Sequence, residues 1–330
     1  MPKGVLVFAE VSDGKLSGIA AELLGCGRGL AAELGGDLTA VLVGSNVAGL
    51  AQSVIAAGAD RVFVADDPLL AEYATDSYVS VIEKVVKQAG PSVVLLGQTS
   101  IGRDLAPRLA FRLGTAATMD CVALAIDPAT KRLMPTKPVY GGNARAVFTY
   151  ETEPQVATVR AKVMSPITPD PARHGEIVSV AASLEPAAVR TKLVQKVKEE
   201  LKGVKLEEAT VVVSGGRGIG GPEGFKELEE LAKVLRGAVG ASRPACDSAW
   251  IADTQQVGLT GKVVTPDLYI AVAISGSSQH MAGCSGAKVI VAVNKDPEAN
   301  IFKEARYGIV GDWKKVLPAF TAKLKELLAQ

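Results

Sequence analysis

Short runs of Val, Ile, Leu and Ala alternate along this chain with longer amphipathic stretches, and glycine or proline marks most of the changes between them. The apolar runs at residues 4–10, 37–43, 61–64 and 92–97 predict β-strands. Residues 18–34, 47–57, 75–88 and 105–113 carry apolar side chains at helical spacing. Alternation of this kind predicts a mainly parallel α/β sheet with helices on both faces. From residue 121 the texture changes. Residues 122–126, 131–140, 144–150 and 156–163 predict consecutive strands, separated by the turn signals Asp127-Pro128, Gly141-Gly142-Asn143 and Glu153-Pro154. Together they predict an antiparallel extension of the first sheet. Prolines at 166, 169 and 171 exclude regular structure there, and residues 176–184 predict an edge strand.

Residues 190–205 are charged and lack an apolar stripe, as a helix or linker between domains would. The pattern then resumes. An apolar strand at 209–213 runs into Ser214-Gly-Gly-Arg-Gly-Ile-Gly-Gly221, followed by a helix at 224–235. Strands at 268–274 and 288–293 follow, and residues 312–330 predict a closing helix with Val316, Leu317, Phe320, Leu324, Leu327 and Leu328 on its apolar side. The expected organisation is an α/β domain over 1–188, a linker over 189–206 and a second, Rossmann-like domain over 207–330. A chain of 330 residues is long enough for two such cores.

Composition agrees with this picture and removes several functions. Aromatic residues make up only 5%, and there are 34 glycines, as expected for short aliphatic strands and glycine turns. The formal net charge of +1 and the absence of a basic run argue against nucleic-acid binding. Cys26, Cys121, Cys246 and Cys284 are far apart, which predicts no metal site and a reducing compartment. No apolar run reaches membrane-spanning length, so no direct membrane insertion is expected. Residues 4–8 enter a strand at once, leaving no room for a signal or transit peptide; a cytoplasmic prokaryotic protein, or a mature chain, is expected.

Candidate chemistry gathers where strands end in glycine loops, since open sheets bind ligands at those ends. Gly97-Gln-Thr-Ser-Ile-Gly-Arg-Asp104 lies between a strand and a helix but lacks dinucleotide or P-loop spacing, and reads as a structural or subunit-contact loop. Arg217, in the glycine loop after residue 213, would offer a planar fork to a pyrophosphate. Arg243 beside Ser242 is either a cation near an electron-accepting ring or half of a surface salt bridge. His280 ends Ile274-Ser-Gly-Ser-Ser-Gln-His280, where an imidazolium would stabilise negative charge on a ring carbonyl. His174, in the proline-rich crossing, reads as a surface residue. Asn294, after the strand at 288–293, would bond a ribose or an adenine edge. No Ser/His/Asp or Cys/His pattern supports covalent catalysis.

Taken in order, Gly215-Gly-Arg-Gly218, Ala241-Ser-Arg243, Gln256-Val-Gly-Leu-Thr-Gly-Lys262, Pro266-Asp-Leu-Tyr-Ile-Ala271, Gln279-His280 and Val293-Asn-Lys-Asp-Pro297 closely resemble the α subunits of electron-transfer flavoproteins. The resemblance is dense over the second domain and looser over the first, where Gly97-Gln-Thr99 and Gly102-Arg-Asp104 carry it. It implies FAD held by the second domain and a β-subunit partner. It further implies contacts to FAD from Arg217, Ser242, Arg243, Gln256, Val257, Gly258, Leu259 and Thr260. The same holds for Ser275, Gly276, Ser277, Ser278, Gln279, His280, Asn294, Asp312 and Trp313. Leu259 stands where the family often has Gln, Ala273 where Gly is common, and Cys284 where Met is frequent.

The implied function is electron carriage between flavin dehydrogenases, such as acyl-CoA dehydrogenases, and another acceptor: a quinone oxidoreductase, or a ferredoxin or flavodoxin. NADH, through the β subunit, is an alternative donor, and electron bifurcation stays open. The flavin carries the chemistry, so no catalytic nucleophile is expected. A nicotinamide-dependent oxidoreductase is the alternative; against it, no acidic residue follows a G-x-G-x-x-G turn at the usual spacing.

Overall fold

A computed structural model describes residues 4–142, 144–184, 191, 193–195 and 204–328. The expected linker at 189–206 lies mostly outside the described residues. The chain divides into two compact units, residues 1–139 with 145–196, and residues 140–144 with 197–330.

The elements of the first unit run β1 (Val5–Phe8), β2 (Val11–Ser12), β3 (Lys15–Leu16), α1 (Gly18–Leu34), β4 (Leu38–Gly44), α2 (Ala51–Ala56), β5 (Arg61–Asp66) and α3 (Thr75–Ala89). They continue as β6 (Val93–Gly97), α4 (Ser100–Arg112), β7 (Ala117–Cys121), β8 (Ala123–Ile126), β9 (Leu133–Val139), β10 (Ala144–Val147), β11 (Gln155–Val159) and β12 (Glu176–Ser179). Seven strands form one parallel sheet in the order β12-β5-β4-β1-β6-β11-β7. Its strands are apolar on both sides because helices cover both faces. Val5 and Val7 pack toward Leu23, Leu24 and Ile55, from α1 and α2. Leu6 and Phe8 point the other way, toward Ile82, Val85, Leu105 and Leu109, from α3 and α4.

The antiparallel part is present but sits apart. β8, β9 and β10 form a separate three-stranded sheet, with β8 and β9 antiparallel, rather than lengthening the parallel one. β11 leaves that set and inserts between β6 and β7. The reason is burial. Every residue of β11 is buried, which suits an inner strand, whereas β8 and β10 are largely exposed.

The loop after β6 serves packing. The Thr99 hydroxyl accepts from Gly102 N–H at 3.0 Å, capping α4, and donates to the Glu10 carboxylate at 2.7 Å. A Cβ on Gly102 would lie 1.8 Å from the Gly97 carbonyl oxygen, so glycine is what lets α4 approach the strand end.

The second unit comprises β13 (Val211–Gly215), α5 (Pro222–Val234), β14 (Ala238–Ala241), α6 (Arg243–Asp247), β15 (Leu268–Val272), α7 (Ser278–Cys284), β16 (Val289–Asn294), α8 (Ile301–Glu304), β17 (Tyr307–Val310) and α9 (Trp313–Leu328). Five parallel strands lie in the order β14-β13-β15-β16-β17. The chain steps from β13 outward to β14, then returns to the opposite side of β13 as β15. That reversal opens a crevice at the carboxyl ends of β13 and β15. On α9, Leu317 is buried and Val316, Phe320 and Leu324 pack on the core, but Leu327 and Leu328 are exposed. The predicted apolar stripe therefore ends one turn early. Among the described residues, no helix is long and apolar enough to cross a membrane.

Gly102→Ala is expected to lower the unfolding free energy by about 3 kcal/mol, because backbone cannot yield to the added methyl. Urea denaturation checks this, and an unchanged midpoint would contradict the packing role assigned to the loop.

Candidate functional site

The crevice between β13 and β15 is a groove of about 380 Å³. That volume falls within the range of small-molecule sites. Arg217, Ser242, Ser275, Ser277, His280 and Asn294 line it, joined by Gly216, Ala273 and Asp296. Six of the residues expected from the sequence thus converge from the ends of four strands. Gly216 N–H donates to Val272 at 2.9 Å, which binds the two strand ends together. A Cβ at 216 would lie 2.1 Å from the Ala273 carbonyl oxygen, so glycine is required. Ala273 itself has φ 53, a left-handed conformation that costs a residue with a Cβ roughly 1 kcal/mol and suits glycine better. Arg217 follows in a short 3₁₀ turn, exposed at the groove wall.

Residues 256–262 form a loop that closes on itself. Lys262 N–H donates to the Gln256 carbonyl at 2.8 Å, Gly258 N–H to Lys262 at 3.1 Å, and Gly261 N–H to Gly258 at 3.1 Å. Val257 N–H donates to Ala241 at 2.8 Å and Leu259 N–H to Gln279 at 2.7 Å, and Lys262 Nζ donates to Glu207 at 2.8 Å, anchoring it. The Gln256 side-chain amide donates to the Thr260 hydroxyl at 3.0 Å. Val257 and Gly258 are buried, while Leu259 and Thr260 face solvent; neither lines the groove. Gly276, at φ 81, turns the chain where a Cβ would lie 2.3 Å from Ile301 N. Ser278 and Gln279 are exposed on the first turn of α7.

His280 departs from expectation. It is only 5% exposed, and burial pushes its pKa down to about 4, so it is neutral at neutral pH rather than an imidazolium. Its Nε2 lies 2.9 Å from the Tyr269 hydroxyl, and its buried Nδ1 has no hydrogen-bond partner. The backbone of Val257 favours the charged form, but without bonding geometry it does not offset the desolvation. Position in a glycine loop suggested a solvated cation; burial under the groove decides otherwise.

The remaining candidates have structural partners. Arg243 forms a 3.4 Å pair with Asp247 and does not line the groove. Both side chains are mostly exposed, so the pair contributes little. Asn294 donates to the Ile274 carbonyl at 2.9 Å and accepts from Asp296 N–H at 3.0 Å, bracing the ends of β15 and β16. Asp312 accepts from Lys314 N–H at 3.0 Å, at the start of α9. Trp313 Nε1–H donates to the Gly218 carbonyl at 3.3 Å, and the ring covers Gly224 beside a neighbouring cavity. Sequence reasoning missed Ser214 and Tyr269, both fully buried beneath the groove. Their only signal was a hydroxyl inside an otherwise aliphatic strand.

Residues 5–185 match the family model of the electron transfer flavoprotein domain. Residues 205–285 match that of the electron transfer flavoprotein FAD-binding domain. Electron transfer flavoprotein subunit alpha of Thermoanaerobacterium thermosaccharolyticum is 48% identical over 326 residues, covering 98% of each chain. The Megasphaera elsdenii protein of the same name is 46% identical, covering 98% of this chain and 97% of its own. Protein FixB of Azotobacter vinelandii is 38% identical, covering 99% of this chain and 92% of its own.

The chain belongs to the electron transfer flavoprotein alpha-subunit family.

FAD is the cofactor of this family, and electron carriage is its role. The groove's donors fit an anionic dinucleotide: one cation, three hydroxyls and an amide converge there. The single lining carboxylate, Asp296, already accepts from Glu298 N–H at 3.0 Å. Asn294, Asp312 and Trp313 lie beyond the residues matched by the FAD-binding model.

The neutral His280 carries a pH dependence. Its folded pKa of about 4 lies below the usual 6.5, so between these values the unfolded chain binds more protons. Stability is therefore lost as pH falls from 6.5 toward 4, by about 3 kcal/mol in full from this group. Denaturation across that window should give a smaller slope for His280→Gln than for the natural protein. Equal slopes would mean that the histidine is not held neutral.

Proposed function

We propose that this chain is the α subunit of a heterodimer that holds FAD in the groove of the second unit. With its β subunit it passes electrons from flavin dehydrogenases, acyl-CoA dehydrogenases among them, to a quinone oxidoreductase or a ferredoxin- or flavodoxin-class acceptor. The observation that carries this reading is the convergence of six expected contact residues at the sheet's reversal point.

When bound, FAD supplies the reversible electron transfer. The chain's residues hold and tune it. Arg217 offers its guanidinium to the pyrophosphate, and Ser242, Ser275 and Ser277 offer hydroxyls around it. Thr260 and Arg243 reach the flavin ring from the rim, Arg243 by leaving its weak pair with Asp247. The residues of the 256–262 loop set the ring's edge, with Leu259 contributing an apolar side chain. Asn294, Asp312 and Trp313 serve the adenosine end. His280, neutral and enclosed, presents a polar nitrogen without adding net charge.

The test is co-expression with a β subunit of the family, followed by an absorption spectrum of the purified complex. A yellow complex bleached by dithionite is expected; a colourless one that takes up no FAD would sink the reading. Arg217→Ala should weaken FAD retention at least tenfold, the loss of about 1.4 kcal/mol expected for a charge-assisted contact. Equilibrium dialysis reads this directly, and undiminished retention would remove Arg217 from the site.

A further inference from the structure

Under the groove a polar cluster is set into the hydrophobic core of the second unit. Tyr269 on β15 is completely buried, and its hydroxyl is 2.9 Å from His280 Nε2, with the rings tilted at 55° and their centroids 6.0 Å apart. Ser214 on β13 is fully buried, with its hydroxyl beside that of Tyr269 and no other hydrogen-bond partner. Cys284, one turn after His280, donates its thiol back to the His280 carbonyl at 3.6 Å.

Only two protonation patterns are open to a neutral imidazole next to a phenol. In one, Nε2–H donates to Tyr269, and the Nδ1 lone pair is buried with the Val257 backbone acceptor nearby and no donor. In the other, Tyr269 O–H donates to Nε2, and Nδ1–H lies on the side of Val257, whose backbone favours a proton on the ring. The second pattern also leaves the Tyr269 oxygen free to accept from the otherwise unpaired Ser214 hydroxyl. Every proton then has an acceptor beside it.

We infer that Tyr269 is a positioning residue that fixes His280 as the Nδ1–H tautomer by donating its hydroxyl to Nε2. The inference rests on the FAD reading for its purpose: an imidazole held in one tautomer presents one fixed dipole to the groove it lines. The tautomer itself does not depend on flavin.

The chain has two histidines, so imidazole nitrogens can be assigned by removing one. Long-range ¹H–¹⁵N correlation spectra of the labelled complex with its β subunit, with His174→Gln for assignment, report which nitrogen is protonated. The natural protein should show protonated Nδ1 and bare Nε2 on His280. Tyr269→Phe should lose that single-tautomer pattern while keeping its FAD, and should shift the flavin midpoint potential. A protonated Nε2 in the natural protein overturns the inference whether or not the variant folds. An unchanged pattern in Tyr269→Phe overturns it too. A complex without flavin that nonetheless shows the expected pattern refutes the FAD reading alone.

Discussion

The second unit depends on one close approach. Gly216 presses its bare Cα toward the Ala273 carbonyl, and its N–H holds the end of β15 through Val272. Any side chain at 216 would drive the two strand ends apart. Their contact lets the loops that follow diverge in opposite directions, one toward α5 and one toward α7, and that divergence is the groove. Backbone sterics, more than any polar contact, create the space that Arg217 and the serines line.

The same sheet logic occurs in both units with different outcomes. In the first, the switch point after β1 and β6 is filled from within, since Glu10 and Thr99 bond each other and Thr99 caps α4. In the second, the corresponding place stays open and polar. One α/β unit thus has a closed switch point and the other an open one, and the difference lies in a few loop residues.

Much of this was legible along the chain. Parallel strands and both glycine loops follow from apolar runs that end in glycine, because that pattern is local, while the serines lining the groove came from the family resemblance. The fate of residues 155–159 was not legible, because turn signals at Glu153-Pro154 say where a strand begins and not which sheet receives it. The charge on His280 was hidden for a similar reason. Desolvation comes from Tyr269, Val257 and the helix packing, all distant in sequence or silent in composition. Arg243 kept both of its readings: the structure gives it Asp247, through a contact too weak to hold it there. Leu327 and Leu328 had the right spacing for the core, but the last turn of α9 leaves both exposed.

The self-closed loop of residues 256–262 has a mechanical meaning. It has no slack of its own, and its hangers are the carbonyls of Ala241 and Gln279. One belongs to the sheet and the other to α7. A tilt of α7 would therefore drag Leu259 and Thr260 with it, like a pointer on a lever pivoted at β14. Whatever seats against the first turn of that helix would shift a hydroxyl located one loop away.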